Sequence, residues 1–147
     1  MSAESLFLGE EEQKLIIEAI REAELQTSGE IKVHIEKKCA HEDVMERAKE
    51  VFALLELYRT EANNGVLFYL AYEDRKFAIL GDKGIYEKAP LDFWDSTKNL
   101  LRSYFSQNQF AKGLCAGIAE AGQQLKTLFP YRADDINELP DDISFGT

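Results

Sequence analysis

The chain has 147 residues, enough for one domain with a real core. Its 45% apolar and 30% charged residues are ordinary for a globular protein and exclude wholesale disorder. With 27 acidic against 17 basic side chains the formal charge is -10, which repels phosphate backbones and anionic lipid and favours divalent cations.

The amino terminus, Met1 to Gly9, carries no basic leader and no apolar stretch long enough for a signal peptide. No later segment approaches the roughly 20 apolar residues of a membrane span. A cytoplasmic setting is therefore expected, with no membrane and no nucleic acid among the partners. The densest basic pair, Lys37-Lys38, runs at once into His41-Glu42-Asp43. The two cysteines, Cys39 and Cys115, are far apart and form no CxxC pair, so reduced thiols are expected.

Residues 10–26 space Leu15, Ile16, Ala19, Ile20 and Ala23 as the stripe of a surface helix, which Gly29 is expected to end in a left-handed turn. Ile31, Val33 and Ile35 then alternate with Lys32, His34 and Glu36, a half-buried strand. A second helix is predicted over 41–58, with Val44, Ala48, Val51, Phe52, Leu55 and Tyr58 inward. Asn63-Asn64-Gly65 is a tight turn, and residues 65–71 are apolar almost throughout, as in a strand covered on both faces. Glu73-Asp74-Arg75 is a short turn into Phe77-Ala78-Ile79-Leu80. So short a connection requires antiparallel pairing, since a parallel crossover takes about a dozen residues or more.

Residues 81–86 are expected to be a loop with a short helical turn. Asp92, with Asp95 three positions on, is expected to cap the next helix. The last helix is predicted over 109–129, started by Asn108 and stopped by Pro130. Gly113, Gly117 and Gly122 each weaken its interior by roughly 1 kcal/mol relative to alanine, which close packing would offset. From Tyr131 onward the chain is an acidic tail, expected to be pinned to the body by its apolar residues. The fold class is α/β: one domain over 1–147, a three-layer αβα sandwich around a small mixed sheet of about four strands.

If the first two strands run parallel, their amino ends share a sheet edge with the carboxyl end of the third. Residues 24–30, 61–65 and 81–84 then converge, bringing together carboxylates, amide oxygens, hydroxyls and backbone carbonyls. Hard cations such as calcium or magnesium want that oxygen chemistry. The candidate metal ligands are Glu24, Glu30, Asn64, Asp82 and Asp92. Each has a plainer reading. Glu24 and Glu30 would be solvated, Asn64 a turn former, Asp82 a turn holder and Asp92 a helix cap. His34 and His41 are expected at the surface, with Trp94 and Tyr86 packed on the sheet. Phosphate-binding loop, nucleophile-elbow, HExxH and calcium-loop patterns are all absent.

Ala23-Glu24, residues 27–33 (TSGEIKV), residues 64–67 (NGVL), residues 81–85 (GDKGI), Phe93-Trp94, residues 113–118 (GLCAGI) and residues 137–142 (NELPDD) follow one another in an order and spacing that resembles the TPM domain family. The likeness is to its small bacterial stand-alone members and covers nearly the whole chain. It implies an αβα sandwich with a four-stranded sheet and crossing loops that divalent metal, often calcium, can hold. Carried onto this chain, those loops are residues 24–30, Asn64, Asp82 and Asp92. The family implies either acid phosphatase activity or an assembly, repair or modulatory role. Together with the oxygen-rich edge and the lack of an evident nucleophile or acid–base pair, this leaves two functional expectations. One is a non-enzymatic, metal-ordered accessory or modulatory module with a protein partner of unknown identity. The alternative is a weak metal-dependent acid phosphatase, with Asp82 as metal-bound or nucleophilic residue and Lys83 or Arg75 facing phosphate.

Overall fold

The computed structural model describes residues 7–131 and 142–146. The resemblance at residues 137–141 and most of the acidic tail lie outside the described residues. Among the described residues five helices surround a four-stranded mixed sheet: α1 (Glu10–Glu24), β1 (Glu30–Glu36), α2 (Val44–Leu54), a 3₁₀ turn (Leu57–Arg59), β2 (Gly65–Ala71), β3 (Lys76–Gly81), α3 (Lys83–Lys88), α4 (Asp95–Phe105), α5 (Phe110–Leu128) and β4 (Ile143–Phe145).

The strand order is β3-β2-β1-β4. β1 runs parallel to β2, with Glu30 opposite Gly65, and β3 is antiparallel to β2, with Gly81 opposite Val66. The edge expected from strand-helix-strand geometry is therefore present: β1 and β2 begin where β3 ends. β4 pairs in parallel with the far half of β1, Val33 facing Ile143 and Ile35 facing Phe145. Its three residues had no distinct signal within the acidic tail.

Alternation along the strands divides the interior. Ile31, Val33, Ile35, Val66, Phe68, Leu70 and Ile79 point into the larger core, shared with Ile16 and Ile20 of α1, Leu101 of α4, and Leu114, Ile118 and Leu125 of α5. Leu67, Tyr69, Ala71 and Ala78 face the smaller core under Ala48, Val51 and Leu57. Helices thus cover both faces, the three-layer sandwich. The glycines of α5 are explained by contact: a Cβ on Gly117 would stand 2.7 Å from Leu101 Cδ2, and one on Gly122 2.9 Å from Ala23 Cβ. Both positions let α5 approach its neighbours closely.

Local boundaries differ from the sequence reading where side chains compete for caps. Asp43 accepts the Met45 N–H (3.0 Å) and so starts α2 later than His41, and the helix stops at Leu54, leaving Tyr58 exposed. α1 ends at Glu24 with Leu25 in right-handed geometry, and no described glycine has positive φ, so Gly29 is not a left-handed terminator. Gly29 instead leaves room for Leu125 Cδ1, 3.3 Å from where its Cβ would be. Leu15 lies off the buried stripe at 61% exposure. α4 begins at Asp95 after Trp94, not on an Asp92 cap, and α5 follows Gln109, with Asn108 in a left-handed turn before it. Trp94 packs partly on the core, but Tyr86 projects from α3 at 78% exposure.

Candidate functional site

Three chain segments meet at the edge where β1 and β2 begin. In the first, the Glu24 carboxylate at the end of α1 reaches over to accept the Ile31 N–H (2.8 Å), pinning helix to strand. Between them Thr27 is buried, donates its hydroxyl to the Phe129 carbonyl and accepts the Gly29 N–H (3.1 Å). The Ser28 N–H also donates to Phe129 (3.0 Å), so the carboxyl end of α5 holds this loop. The second segment centres on Asn64, only 1% exposed. Its N–H donates to Thr60 Oγ1 (3.0 Å), its carbonyl accepts the Glu30 N–H (3.3 Å), and its Nδ2 reaches Ser28 Oγ at 3.4 Å.

Asp82 anchors the third. Its N–H donates to the Gly65 carbonyl (2.9 Å), and its Oδ1 accepts the Lys83 N–H (2.8 Å) to start α3. The Gly84 N–H donates to the Asn63 carbonyl (2.9 Å). A Cβ on Gly84 would fall 2.4 Å from the Ala62 carbonyl and 2.5 Å from that of Asn63. Only a glycine lets the second and third loops cross this tightly.

The turn-holding reading of Asp82 accounts for only one of its oxygens. Asp82 Oδ2 and Asn64 Oδ1 are both fully buried and have no hydrogen-bond partner among the described residues. A buried polar atom left so costs about 1–3 kcal/mol. Glu24 Oε1 and Glu30 Oε2 are buried carboxylate oxygens of the same loops. Glu120 Oε2 on α5 is buried too, while its other oxygen accepts from Ser96 (2.7 Å). Among the described residues no group of three or more His, Cys, Asp or Glu side chains is arranged to hold a metal ion. A cation here would therefore draw on a mixed set of carboxylate, amide and backbone oxygens, the donor types that suit calcium and magnesium. Of the five candidate residues, Glu24, Glu30, Asn64 and Asp82 stand on the three crossing segments. Asp92 lies in an exposed turn before α4.

A second polar group lies along β1. The polar face of β1 is buried along its whole length. Glu36, 3% exposed, accepts two bonds from Arg47 of α2 (Nε and Nη2, each 2.9 Å), one from the Tyr69 hydroxyl, and one from His34 Nε2 (3.0 Å). An ionised carboxylate only accepts, so His34 carries its proton on Nε2, and Nδ1 accepts from Ser144 Oγ of β4 (2.8 Å). Lys32 pairs with Asp142 just before β4. Burial works against a charged Glu36, but hydrogen bonds from Arg47, then Tyr69 and His34, outweigh it and bring its carboxyl down to about 2. Burial lowers His34 below 6.5 despite the pull of Glu36. His34 is thus a buried, neutral structural residue rather than a surface one. His41 is partly exposed and bonds Glu50 at 2.9 Å. The only trace in the sequence was the Lys32, His34, Glu36 alternation, which reads equally as a solvated face.

No described helix is long and apolar enough to cross a membrane. No curated protein matches the chain. The solution structure of the BA42 protein from the psychrophilic bacterium Bizionia argentinensis is similar over 95% of this chain and 96% of that one, at 50% identity and a TM-score of 0.90. The N-terminal domain of the cg2496 protein from Corynebacterium glutamicum shares the fold at 15% identity, with a TM-score of 0.64 over 92% of this chain and 79% of that one. A family model, the TPM domain, matches residues 2–124, and the chain belongs to that family.

Proposed function

We propose that the crossing loops form a divalent-cation site, for calcium or magnesium, and that the protein is a non-enzymatic accessory module whose loops the metal orders. The observation that carries this reading is the pair of buried oxygens, Asp82 Oδ2 and Asn64 Oδ1, that no described donor satisfies. A bound cation would relieve their desolvation cost and neutralise part of the negative rim. Asp82 and Asn64 would hold it, with Glu24 and Glu30 of the first crossing segment as further candidate ligands. When bound it would supply a fixed positive charge that ties residues 24–30 to the 61–65 and 81–84 loops. The ordered rim would then present a surface to a protein partner. The chain's net charge of -10 argues against nucleic acid as that partner, and two free cysteines support a reducing, cytoplasmic setting.

Calorimetric titration with calcium and with magnesium, paired with amide exchange, tests the proposal. The expected result is one saturable site, with protection gained at residues 25–30, 61–65 and 81–84. Asp82→Asn should abolish both effects while the protein remains folded. Absence of saturable heat and of loop protection would refute it. Metal-dependent hydrolysis of a phosphomonoester that Asp82→Asn removes would replace the accessory role with the phosphatase reading.

A further inference from the structure

At the opposite end of the sheet, where β2 finishes and β3 begins, lies a pocket of about 230 Å³. Its floor is apolar and aromatic, formed by Leu70, Phe77, Phe105 and Phe110, and its rim carries Arg75 and Arg102. Phe105 meets Phe77 edge-on at 5.3 Å between ring centroids and Phe110 at 5.3 Å. The Arg102 guanidinium sits over the Phe77 ring, 5.7 Å from its centroid.

The two arginines are unlike the other described ones. Arg21, Arg47 and Arg59 each pair with a carboxylate. Among the described residues Arg75 and Arg102 have none. Arg75 Nη2 donates to the amide oxygen of Asn108 (3.0 Å), and Arg102 Nη1 to that of Asn99 (2.8 Å). Acidic neighbours of Arg75 are turned elsewhere: Glu73 pairs with Lys37, and Asp74 accepts the Cys39 N–H (2.8 Å). In a chain of net charge -10, two guanidiniums without carboxylate partners on one pocket are conspicuous. Each retains several donors beyond its single amide bond.

Arg75 also occupies left-handed backbone, φ 54°, a conformation that glycine or asparagine fills without strain and a long side chain does not. The residue it bonds, Asn108, is left-handed as well, at φ 60°. A hairpin turn alone would favour glycine at position 75, so the turn gains nothing from the guanidinium placed there. Strained backbone of this kind gathers at ligand sites.

We propose that this pocket binds a small amphiphilic anion, its aromatic or short aliphatic body against Phe77, Phe105 and Phe110 and its carboxylate or phosphate on Arg75 and Arg102. The volume suits a single ring with a short acidic arm. Guanidinium recognises either oxyanion through paired, charge-assisted hydrogen bonds. The site shares no residue with the crossing loops and requires no metal.

Phenylacetate, phenyl phosphate, neutral phenylacetamide and inorganic phosphate, titrated separately into the whole protein and followed by amide chemical shifts, distinguish the chemistry. The two aryl anions should give saturable shifts at Phe77, Phe105 and Phe110, and whichever binds tighter identifies carboxylate or phosphate as the preferred head. Phenylacetamide and inorganic phosphate should bind roughly tenfold more weakly or worse, since each lacks one half of the recognition. Arg102→Gln should weaken the aryl anions by about tenfold. Arg75→Gly should do the same while leaving the melting temperature equal or higher, because it removes the left-handed strain. Equal binding of the amide, equal binding of bare phosphate, or no saturable shift with either aryl anion would overturn the proposal. So would undiminished binding by the two arginine variants.

Discussion

Removing the Arg47 guanidinium tests how the buried face of β1 is held. Arg47→Met keeps an aliphatic side chain, but Glu36 loses two of its four hydrogen bonds. Glu36 is almost fully buried, and breaking one partner of such a pair typically costs about 3–5 kcal/mol. The fall from 4.5 to about 2 at the Glu36 carboxyl, which sets burial against the bonds from Arg47, Tyr69 and His34 together, is worth about 3 kcal/mol at neutral pH at about 1.4 kcal/mol per pH unit. Because the folded carboxyl lies below its unfolded value, that stability is present above 4.5 and lost as pH falls toward 2. His34 acts in the same direction: its folded value lies below 6.5, so acid favours the unfolded, protonated form as pH drops through that region. The wild type should therefore lose stability in two successive acid windows. In Arg47→Met, burial is opposed only by the Tyr69 and His34 bonds, and the Glu36 carboxyl rises. The variant's deficit should then shrink as acid protonates it. Urea unfolding followed by Trp94 fluorescence, at neutral pH and at about pH 4, measures both quantities. A variant within about 0.5 kcal/mol of wild type at neutral pH, or a deficit that stays constant into acid, would refute the reasoning.

Two further outcomes bear on the crossing loops. Gly84→Ala drives a methyl group into the Ala62 and Asn63 carbonyls, so it should destabilise the protein by about 2 kcal/mol and erase any calcium-induced rise in melting temperature. Asp92→Asn should leave the calcium titration unchanged, since Asp92 stands in an exposed turn while the other four candidates stand on the converging segments; a tenfold loss of affinity would restore Asp92 as a ligand.

The sheet edge that gathers Glu24, Glu30, Asn64 and Asp82 was legible because it follows from direction alone. A helix between two apolar strands makes them parallel, and the short Glu73-Asp74-Arg75 turn makes the third antiparallel. Residues 65–71 announced a strand covered on both sides because no polar residue interrupts them, and both cores indeed share β2. Asp92 was less well served: an aspartate in a good capping position reads the same whether the helix begins there or three residues later, and α4 starts at Asp95.

What the sequence by itself determined, then, is the apolar skeleton: which residues alternate or recur to face a core, and the strand directions that connection lengths impose. Only the tertiary structure decided the fate of polar side chains. Lys32, His34 and Glu36 alternate as a solvated face would, yet Asp142 and Ser144, each 110 residues from its partner, together with Arg47 and Tyr69, bury and satisfy them. The same holds for Asp82, whose one oxygen caps a helix while the other has no donor among the described residues. Hydrophobic burial is written locally in the period of a segment, whereas a polar group's environment depends on partners that the chain brings from afar.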